Sequence, residues 1–307
     1  MLAAACHSYK RGTMSTQSEH NPRLAIALMI TATVFIATST LMAKLASDPR
    51  FGTPLHPLQI SNGRYIFAFA LISSVFVAMR GRISKPHLKM HTLRSALGWG
   101  GVTLMFTAVG YIPMADATAI SFLNPVFAMV LAIPLLGEKV GRIRWSAAVI
   151  ALLGAFILLR PSPQSFEFGA LFALGAAVLL GAEIIVIKRL SALEGPLQIL
   201  LVNNAIGVAL SSLAVISVWQ PPTLAQWGFL AGVGFAMAAA QTFFVNAVKR
   251  ADASFIVPFS FFTLVFAAGF DAAIFAKWPD AITVLGAGII LSGAGLLAWR
   301  QGQIKQA

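Results

Sequence analysis

The chain has 307 residues, of which 58% are hydrophobic and 10% are charged, and its formal net charge is +12. Soluble domains usually contain about 25% charged residues, so this composition excludes a soluble globular protein and indicates a chain embedded in lipid. An excess of Lys and Arg is typical of the cytoplasmic loops of a membrane protein, and we therefore expect no nucleic-acid partner.

Apolar runs long enough to cross a bilayer recur from Leu24 onward, and they are continuous rather than alternating. About 20 residues span the hydrocarbon core as a helix, whereas a β-barrel would show alternating segments of about 10 residues. The sequence therefore predicts an all-α integral membrane protein with ten transmembrane helices. We place them at about 24–46, 57–79, 95–112, 115–136, 144–160, 168–188, 196–219, 225–248, 252–275 and 280–299.

The distribution of cations predicts the orientation of the chain. If the N-terminus is cytoplasmic, 17 of the 22 Lys and Arg residues fall in cytoplasmic segments, including the tails at 1–23 and 301–307. Three fall outside, and two lie within the spans. Because Lys and Arg accumulate on the cytoplasmic side, we predict cytoplasmic N and C termini in a multi-pass protein of the inner membrane.

Two halves of the chain repeat each other. Each half contains five predicted helices, and because five is odd, the second half enters the membrane from the opposite side. The sequence thus predicts inverted repeats at 24–160 and 161–300, an architecture typical of secondary transporters with a substrate site near the midplane. The matching segments are PLQI at 57–60 and 196–199, and ADATA at 115–119 with ADASF at 251–255.

The stretch ADATAISFLNPVFAMVLAIPLLGEKVGRIRWSAAVIALLGAFILLRP at 115–161 resembles the fourth and fifth helices of EamA-type members of the drug/metabolite transporter superfamily. The resemblance covers about 24–300. Glu138 matches the family's glutamate, whereas the second half reads Phe-Ala-Lys at 275–277, where the family usually has Phe-Gly-Glu. The resemblance implies a secondary active transporter for a small amphiphilic metabolite that is amino-acid-, nucleoside- or cofactor-like. It also implies that helices 3, 4, 8 and 9 line a central cavity, which helices 1, 2, 6 and 7 gate.

Arg64 lies about seven residues into predicted helix 2, roughly 10 Å deep at 1.5 Å per residue. A charge at that depth should face the bundle or water, and a guanidinium suits a substrate carboxylate or phosphate. The alternative is a structural or gating ion pair with Asp271 of helix 9, in which Lys44 could take part.

Pro125 and Pro258 are predicted to interrupt helices 4 and 9, where each removes a backbone hydrogen bond. Transporters often bind substrates at such discontinuities, so polar neighbours are candidate cavity residues. The alternative is that each hydroxyl bonds only to its own helix backbone. The further cavity candidates are Ser121, Asn124, Gln241, Ser260 and Thr263.

Glu183 in helix 6, with Asn203 and Asn204 in helix 7, forms a predicted inner polar group that is the counterpart of the group around Arg64. Because desolvation favours the neutral form of a carboxyl group, Glu183 is a candidate for proton coupling. The alternative is an ion pair between Glu183 and Lys188.

Two rival classes are a channel or facilitator without ion coupling and an intramembrane enzyme. All five histidines lie in the tail, at a predicted span mouth or in a loop, and no phosphate-binding loop is present. We therefore predict no enzyme activity, no metal and no cofactor. The predicted partners are a small-molecule substrate, the lipid bilayer and, if transport is coupled, a proton; the sequence leaves monomer and homodimer open.

Overall fold

The computed structural model describes residues 21–81, 83–109, 111–112, 117, 120–159, 168–275, 278 and 280–304. Within these ranges the chain is almost entirely helical, and they contain no β-strand. The long helices are α1 (Pro22–Ala46), α2 (Pro57–Ala78), α3 (Leu88–Val109), α4 (Asn124–Leu136), α5 (Arg142–Leu159), α6 (Gly169–Leu193), α7 (Pro196–Val215), α8 (Leu224–Arg250), α9 (Phe262–Phe275) and α10 (Ala281–Ile304).

Proline residues begin three of the long helices. Pro22, Pro57 and Pro196 each lie in the first helical turn, where a missing N–H group costs no hydrogen bond. The side chains of Asn21 and His56 cap α1 and α2 by accepting a backbone N–H from the first turn. The proline of each PLQI segment therefore marks a helix start, in α2 and again in α7.

The two prolines that were predicted to interrupt helices lie at changes of backbone structure. Before α9, a single helical turn at Ala253–Ile256 passes into the 3₁₀ segment Val257–Phe261, which contains Pro258. Pro125 lies in the first turn of α4, directly after a turn at 122–123. Both prolines are buried.

Six of the main helix pairings follow a twofold exchange between the halves. Helix α1 packs against α8 and α6 packs against α3, while α4 packs against α6 and α9 against α1. Helices α2 and α7 pair with each other, as do α5 and α10. Exchanging α1–α5 with α6–α10 reproduces this pattern, so the chain has a two-repeat fold.

The same symmetry governs the close approach of α5 and α10. A Cβ added at Gly154 would lie 2.7 Å from the backbone nitrogen of Ile290 in α10, and one added at Gly293 would lie 2.8 Å from the carbonyl oxygen of Ala147 in α5. The two glycines are 139 positions apart, the same shift that separates the two PLQI segments. Each glycine thus allows the opposite helix to approach in backbone contact.

Six helical segments of the described chain are long and apolar enough to cross a membrane, and Asn124–Leu136 and Ala281–Leu296 are shorter apolar helices. Helix α3 begins at Leu88, about two turns before the predicted start at 95. The six long segments are Pro22–Ala46, Pro57–Ala78, Gly169–Leu193, Pro196–Val218, Leu224–Arg250 and Ala253–Ile274.

Candidate functional site

A cavity of about 130 Å³ lies among α2, α3, α6, α7 and α8, which come from both halves of the chain. Inverted repeats commonly form their ligand sites at such an interface. The lining residues are Arg64, Tyr65, Arg94, Ser95, Gly98, Trp99, Val102, Leu180, Glu183, Asn203, Gly207, Leu210 and Gln241.

Arg94 of α3 is a buried cation in the cavity wall, with 2% of its side chain exposed. Its Nε donates to Oε1 of Glu183 at 3.4 Å, which is long for a hydrogen bond. Its Nη1 is buried and has no hydrogen-bond partner in the part of the chain that the structure describes. Because a guanidinium carries five N–H donors, Arg94 has donor capacity that Glu183 does not use.

Glu183 of α6 is 22% exposed and lies over Gly98 of α3. A Cβ at position 98 would be 3.0 Å from Oε2 of Glu183, so the absence of a side chain there makes room for the carboxylate. Gly98 of α3 therefore allows α6 to place this carboxylate beside Arg94 in the cavity wall.

Arg64 of α2 is half-buried, and its guanidinium lies 4.2 Å from the centre of the Tyr65 ring, in cation–π geometry. It is near enough to Arg94 and Glu183 to interact with both electrostatically. The cavity wall therefore carries two guanidinium groups and one carboxylate, a formal charge of +1.

Two amide side chains complete the polar part of the wall. Asn203 and Gln241 line the cavity, and Asn204 lies behind Gln241, to which its Nδ2 donates at 3.2 Å. Asn204 also donates to the carbonyl of Leu200 in its own helix. The hydrogen bond from Asn204 therefore holds the Gln241 amide in the cavity wall.

The structure thus gathers Arg64, Glu183, Asn203 and Gln241 in one cavity, instead of the predicted outer and inner polar groups. Glu183 faces Arg94 and does not pair with Lys188. Lys188 instead donates to the carbonyls of Val248 and Ala251 at the end of α8. A cation is favourable at that position because the carbonyl groups of a helix C-terminus carry partial negative charge.

The candidates in α4 and α9 and in the segments just before them do not line this cavity, contrary to what the family resemblance implied for those helices. Aromatic side chains fill the space beside the two helix breaks: Phe122 and Phe261 stack with ring centres 5.9 Å apart, and Phe259 is buried. The candidates that lie outside the lining are Ser121, Asn124, Pro125, Pro258, Ser260 and Thr263.

Two gating candidates also lie elsewhere. Lys44 is exposed in the last turn of α1 and does not line the cavity. Asp271 belongs to α9, but its side chain lies outside the described part of the structure. The predicted pair between Arg64 and Asp271 therefore stays a prediction.

Glu138, which matches the family's glutamate, binds the start of the helical turn Ala253–Ile256 that precedes α9. Its Oε1 accepts the backbone N–H of Ala253 at 2.9 Å, and its Oε2 accepts the N–H and the hydroxyl of Ser254 at 3.0 and 2.6 Å. A carboxylate at a helix N-terminus is favourable, so Glu138 positions this segment. Positions 276 and 277, where the second half departs from the family pattern, lie outside the described residues.

A buried carboxylate that was not predicted, Glu194, directly follows α6. Its Oε1 accepts the backbone N–H of His87 at 2.7 Å and contacts the His87 Nδ1 at 2.9 Å. Its Oε2 contacts the His91 Nε2 at 2.9 Å and accepts from Gln198 at 2.8 Å. Burial alone would raise the pKa of Glu194, but the hydrogen bonds from the two histidines outweigh it and lower the pKa to about 2.

The glutamines of the two PLQI segments make equivalent contacts, which we call the glutamine clasps. Gln198 of α7 accepts the N–H of Ser84 and donates to its carbonyl, at 3.0 and 3.2 Å. Gln59 of α2 accepts the N–H of Gln220 at 3.1 Å and donates to its carbonyl at 2.5 Å. Each clasp therefore ties one PLQI helix to the loop that follows the other.

Comparison with known proteins agrees with this architecture. A family model, the EamA-like transporter family, matches residues 23–160 and again 167–299. The riboflavin transporter of Vibrio cholerae is 29% identical over 92% of this chain and 95% of its own length. An S-adenosylmethionine uptake transporter of Rickettsia bellii is 28% identical over 78% of this chain and 83% of its own length.

Two further similarities extend the comparison. The pseudopaline exporter of Pseudomonas aeruginosa is 26% identical over 68% of this chain and 74% of its own length. A solved crystal structure matches with a TM-score of 0.78 at 19% identity, over 92% of this chain and 99% of the other, which shows a shared fold. The two family matches cover most of the chain, and the relatives are named as transporters rather than enzymes. The chain therefore belongs to the EamA-like transporter family and is a multi-pass transporter of the inner membrane.

Proposed function

We propose that the protein moves a small amphiphilic metabolite across the inner membrane by alternating access, with the cavity at Arg64, Arg94 and Glu183 as its substrate site. The observation that carries this proposal is the position of the cavity between the repeats. Two of its charged residues belong to the first half, and the third belongs to the second half. Relatives are named as transporters of riboflavin, S-adenosylmethionine and pseudopaline, which supports a small metabolite as the substrate.

The proposed topology has ten spans, α1 to α10, with both termini in the cytoplasm. The cation distribution supports this orientation. In this topology α2 starts at the outer surface and α7 at the inner surface. The two glutamine clasps would then lie at opposite surfaces, Gln59 outside and Gln198 inside.

Alternating access requires that the two sides of the cavity do not open together. Each glutamine clasp joins the two halves at one end of the α2–α7 pair, so the clasp on a given side would have to release when that side opens. We therefore assign the outer gate to the Gln59 clasp and the inner gate to the Gln198 clasp with Glu194.

Reconstitution in liposomes tests the transport class. Riboflavin and S-adenosylmethionine are the first labelled solutes to use, because relatives are named as their transporters. A transporter gives saturable uptake that unlabelled solute inside the vesicle accelerates. Flux that rises linearly with concentration and carries an ohmic current would contradict the proposal and favour a channel.

Proton coupling is the proposed driving force, with Glu183 as the coupling residue. Its contact with Arg94 supplies a charge partner that protonation would release. Uptake by the parent protein should then depend on an imposed pH gradient, and Glu183→Gln should make residual uptake insensitive to that gradient. A parent protein that ignores the gradient would rule out proton coupling while leaving uncoupled transport in place.

A further inference from the structure

We propose that the segment 79–89, which joins α2 to α3, is a binding surface for the headgroups of anionic phospholipids. We call this segment the basic loop. It contains no acidic residue, and its cations are Arg80, Arg82, Lys85 and Lys89. Clusters of four or more cations directly after a transmembrane helix are typical of segments that bind anionic lipids on the cytoplasmic side. The inference goes beyond the proposed function, because it assigns a partner to a surface outside the substrate cavity.

The cations of the basic loop point to an external partner. The side chains of Arg80, Lys85 and Lys89 are exposed, and they make no hydrogen bond or ion pair with a described residue. Arg144, which lies on the same side of the membrane in the proposed topology, instead donates to Asp252 at 2.8 Å. The positive charge of the basic loop is therefore available to a negatively charged surface.

Arg80 occupies a backbone conformation that suits glycine better. Helix α2 ends at Ala78, and the N–H of Gly81 closes its C-terminus by donating to the carbonyl of Phe76 at 2.9 Å. This arrangement gives Arg80 a φ of 50°, in the left-handed region where glycine is the usual residue. Apart from glycine, no other residue in the described ranges has a positive φ. An arginine kept in such a conformation indicates that its side chain has a function.

Large apolar side chains lie beside the cations of the basic loop. Met79, Ile83 and Leu88 are between 56% and 70% exposed. At the end of a transmembrane helix, such side chains can enter the boundary between headgroups and acyl chains, where apolar burial adds to the electrostatic attraction of anionic lipids. A phosphate ion or a nucleic acid would leave these side chains in water, so the combination favours a phospholipid.

The remaining contacts of the basic loop hold it to the second half of the chain. Ser84 takes part in the Gln198 clasp, and the N–H of His87 donates to Glu194 at 2.7 Å. These contacts fix the loop while its cations stay exposed, which reduces the conformational entropy that is lost when a headgroup binds. A headgroup bound here would lie directly beside the proposed inner gate.

The test compares the thermal unfolding midpoint of the full-length protein in nanodiscs of phosphatidylcholine alone and of an equimolar mixture with phosphatidylglycerol. A ligand that binds the folded state raises this midpoint. We expect the parent protein to unfold several degrees higher in the anionic discs, and high salt should reduce this gain because salt screens exposed charges. Nanodiscs present both leaflets and no transport is measured, so a negative result would leave the proposed function and topology standing.

Variants of the cations assign the gain to the basic loop. Lys85→Gln/Lys89→Gln should lose at least half of it. The matched control is Lys139→Gln/Arg142→Gln, which removes the same charge from exposed positions of another loop and should keep the gain. Arg80→Gly should leave the midpoint in neutral discs unchanged or raised, because glycine fits the left-handed backbone, and should reduce the gain in anionic discs. A purely structural Arg80 would change both midpoints alike.

Met79→Ser/Ile83→Ser tests the apolar contacts, and it should reduce the gain although all the cations remain. Equal midpoints of the parent protein in the two kinds of disc would overturn the inference, as would an equal loss of the gain in the two double variants of the cations. A gain of the same size from inorganic phosphate added to neutral discs would also overturn it, because the loop would then bind any anion rather than a phospholipid.

Discussion

At the scale of single residues, Glu194 predicts how stability depends on pH. Its pKa of about 2 in the folded protein is below the ordinary value of 4.5, so the folded state favours the ionised form. The resulting stabilisation is fully present above the ordinary pKa and is lost as the pH falls through the folded pKa. Its size is on the order of 3 kcal/mol, because one pKa unit corresponds to about 1.4 kcal/mol.

Glu194→Gln should therefore lower the thermal unfolding midpoint at pH 7. The difference from the parent protein should shrink as the pH is lowered from about 4.5 towards 2. The measurement is the unfolding midpoint of purified protein in detergent across that range. Thr92→Ala is the control, because the Thr92 hydroxyl is exposed and donates to Leu88 of its own helix. Parallel pH profiles for the parent and Glu194→Gln would show that the histidine contacts do not hold this carboxylate ionised.

Some cavity residues can be recognised from the sequence and others cannot, for a physical reason. Arg64 and Glu183 were recognised because a charge inside an apolar run must find a partner or water. Arg94 directly precedes the predicted start of helix 3 at 95 and so counts among the 17 cytoplasmic cations, because hydropathy does not distinguish a charge in a loop from one that is paired between two helices. In a helix that begins at Leu88, the spacing of His91, Arg94 and Gly98 places all three on one helix face.

At the scale of elements, the α5–α10 contact predicts that alanine in place of glycine destabilises the protein at one position of α10 and not at another. Gly293→Ala would force a methyl group to within 2.8 Å of the Ala147 carbonyl oxygen, which is backbone and cannot rotate away. Gly288→Ala in the same helix meets no atom within 4 Å. We expect Gly293→Ala to lower the unfolding midpoint by several degrees and Gly288→Ala to leave it unchanged or slightly raised, since alanine favours a helix.

Gly154→Ala provides the symmetric test, because its methyl group would approach the backbone of α10 at 2.7 Å. Its effect should match that of Gly293→Ala in sign and in size. Size-exclusion profiles and unfolding midpoints of the three variants in one detergent give the comparison. If the α10 variant is destabilised and the α5 variant is not, the close approach of the two helices is not symmetric.

The positions of the helices along the chain were more predictable than the rotation of each helix about its own axis. Helix starts at Pro57 and Pro196 follow from local chemistry, and the order of the repeats follows from the matching segments. Depth in the membrane also follows from position along a helix. The sequence does not give the rotation of each helix about its axis, so it did not show that Arg64 and Glu183 line one cavity, or that Phe259 and Phe261 are buried beside Pro258.

At the scale of the whole molecule, the proposed topology predicts where the termini lie. A reporter that is active only outside the cytoplasm should be silent when fused after Ala307, and it should be active when inserted in the predicted outer loop at 220–223. A reporter that requires the cytoplasm should give the reverse pattern. Full activity of the external reporter after Ala307 would exclude an even number of spans together with a cytoplasmic N-terminus.

The glutamine clasps predict how the two halves alternate. In a Cys6→Ser background, a short cross-linker between cysteines at Gln59 and Gln220 should hold the outer gate closed, and one between Gln198 and Ser84 should hold the inner gate closed. A probe cysteine at Trp99 in the cavity wall then reports access from each side. The first cross-link should block labelling from outside and keep labelling from inside, because only the inner clasp can still release.

The second cross-link should give the opposite pattern, and both should stop transport, since a cycle requires each clasp to release in turn. The control is the same cross-linker applied to each single-cysteine variant, which cannot join the two halves. Labelling from both sides that is unaffected by either cross-link would show that the clasps are shared packing contacts of the two repeats and not gates. If both cross-links blocked labelling from the same side only, both clasps would belong to one gate, which would contradict the proposed opposite orientation of α2 and α7.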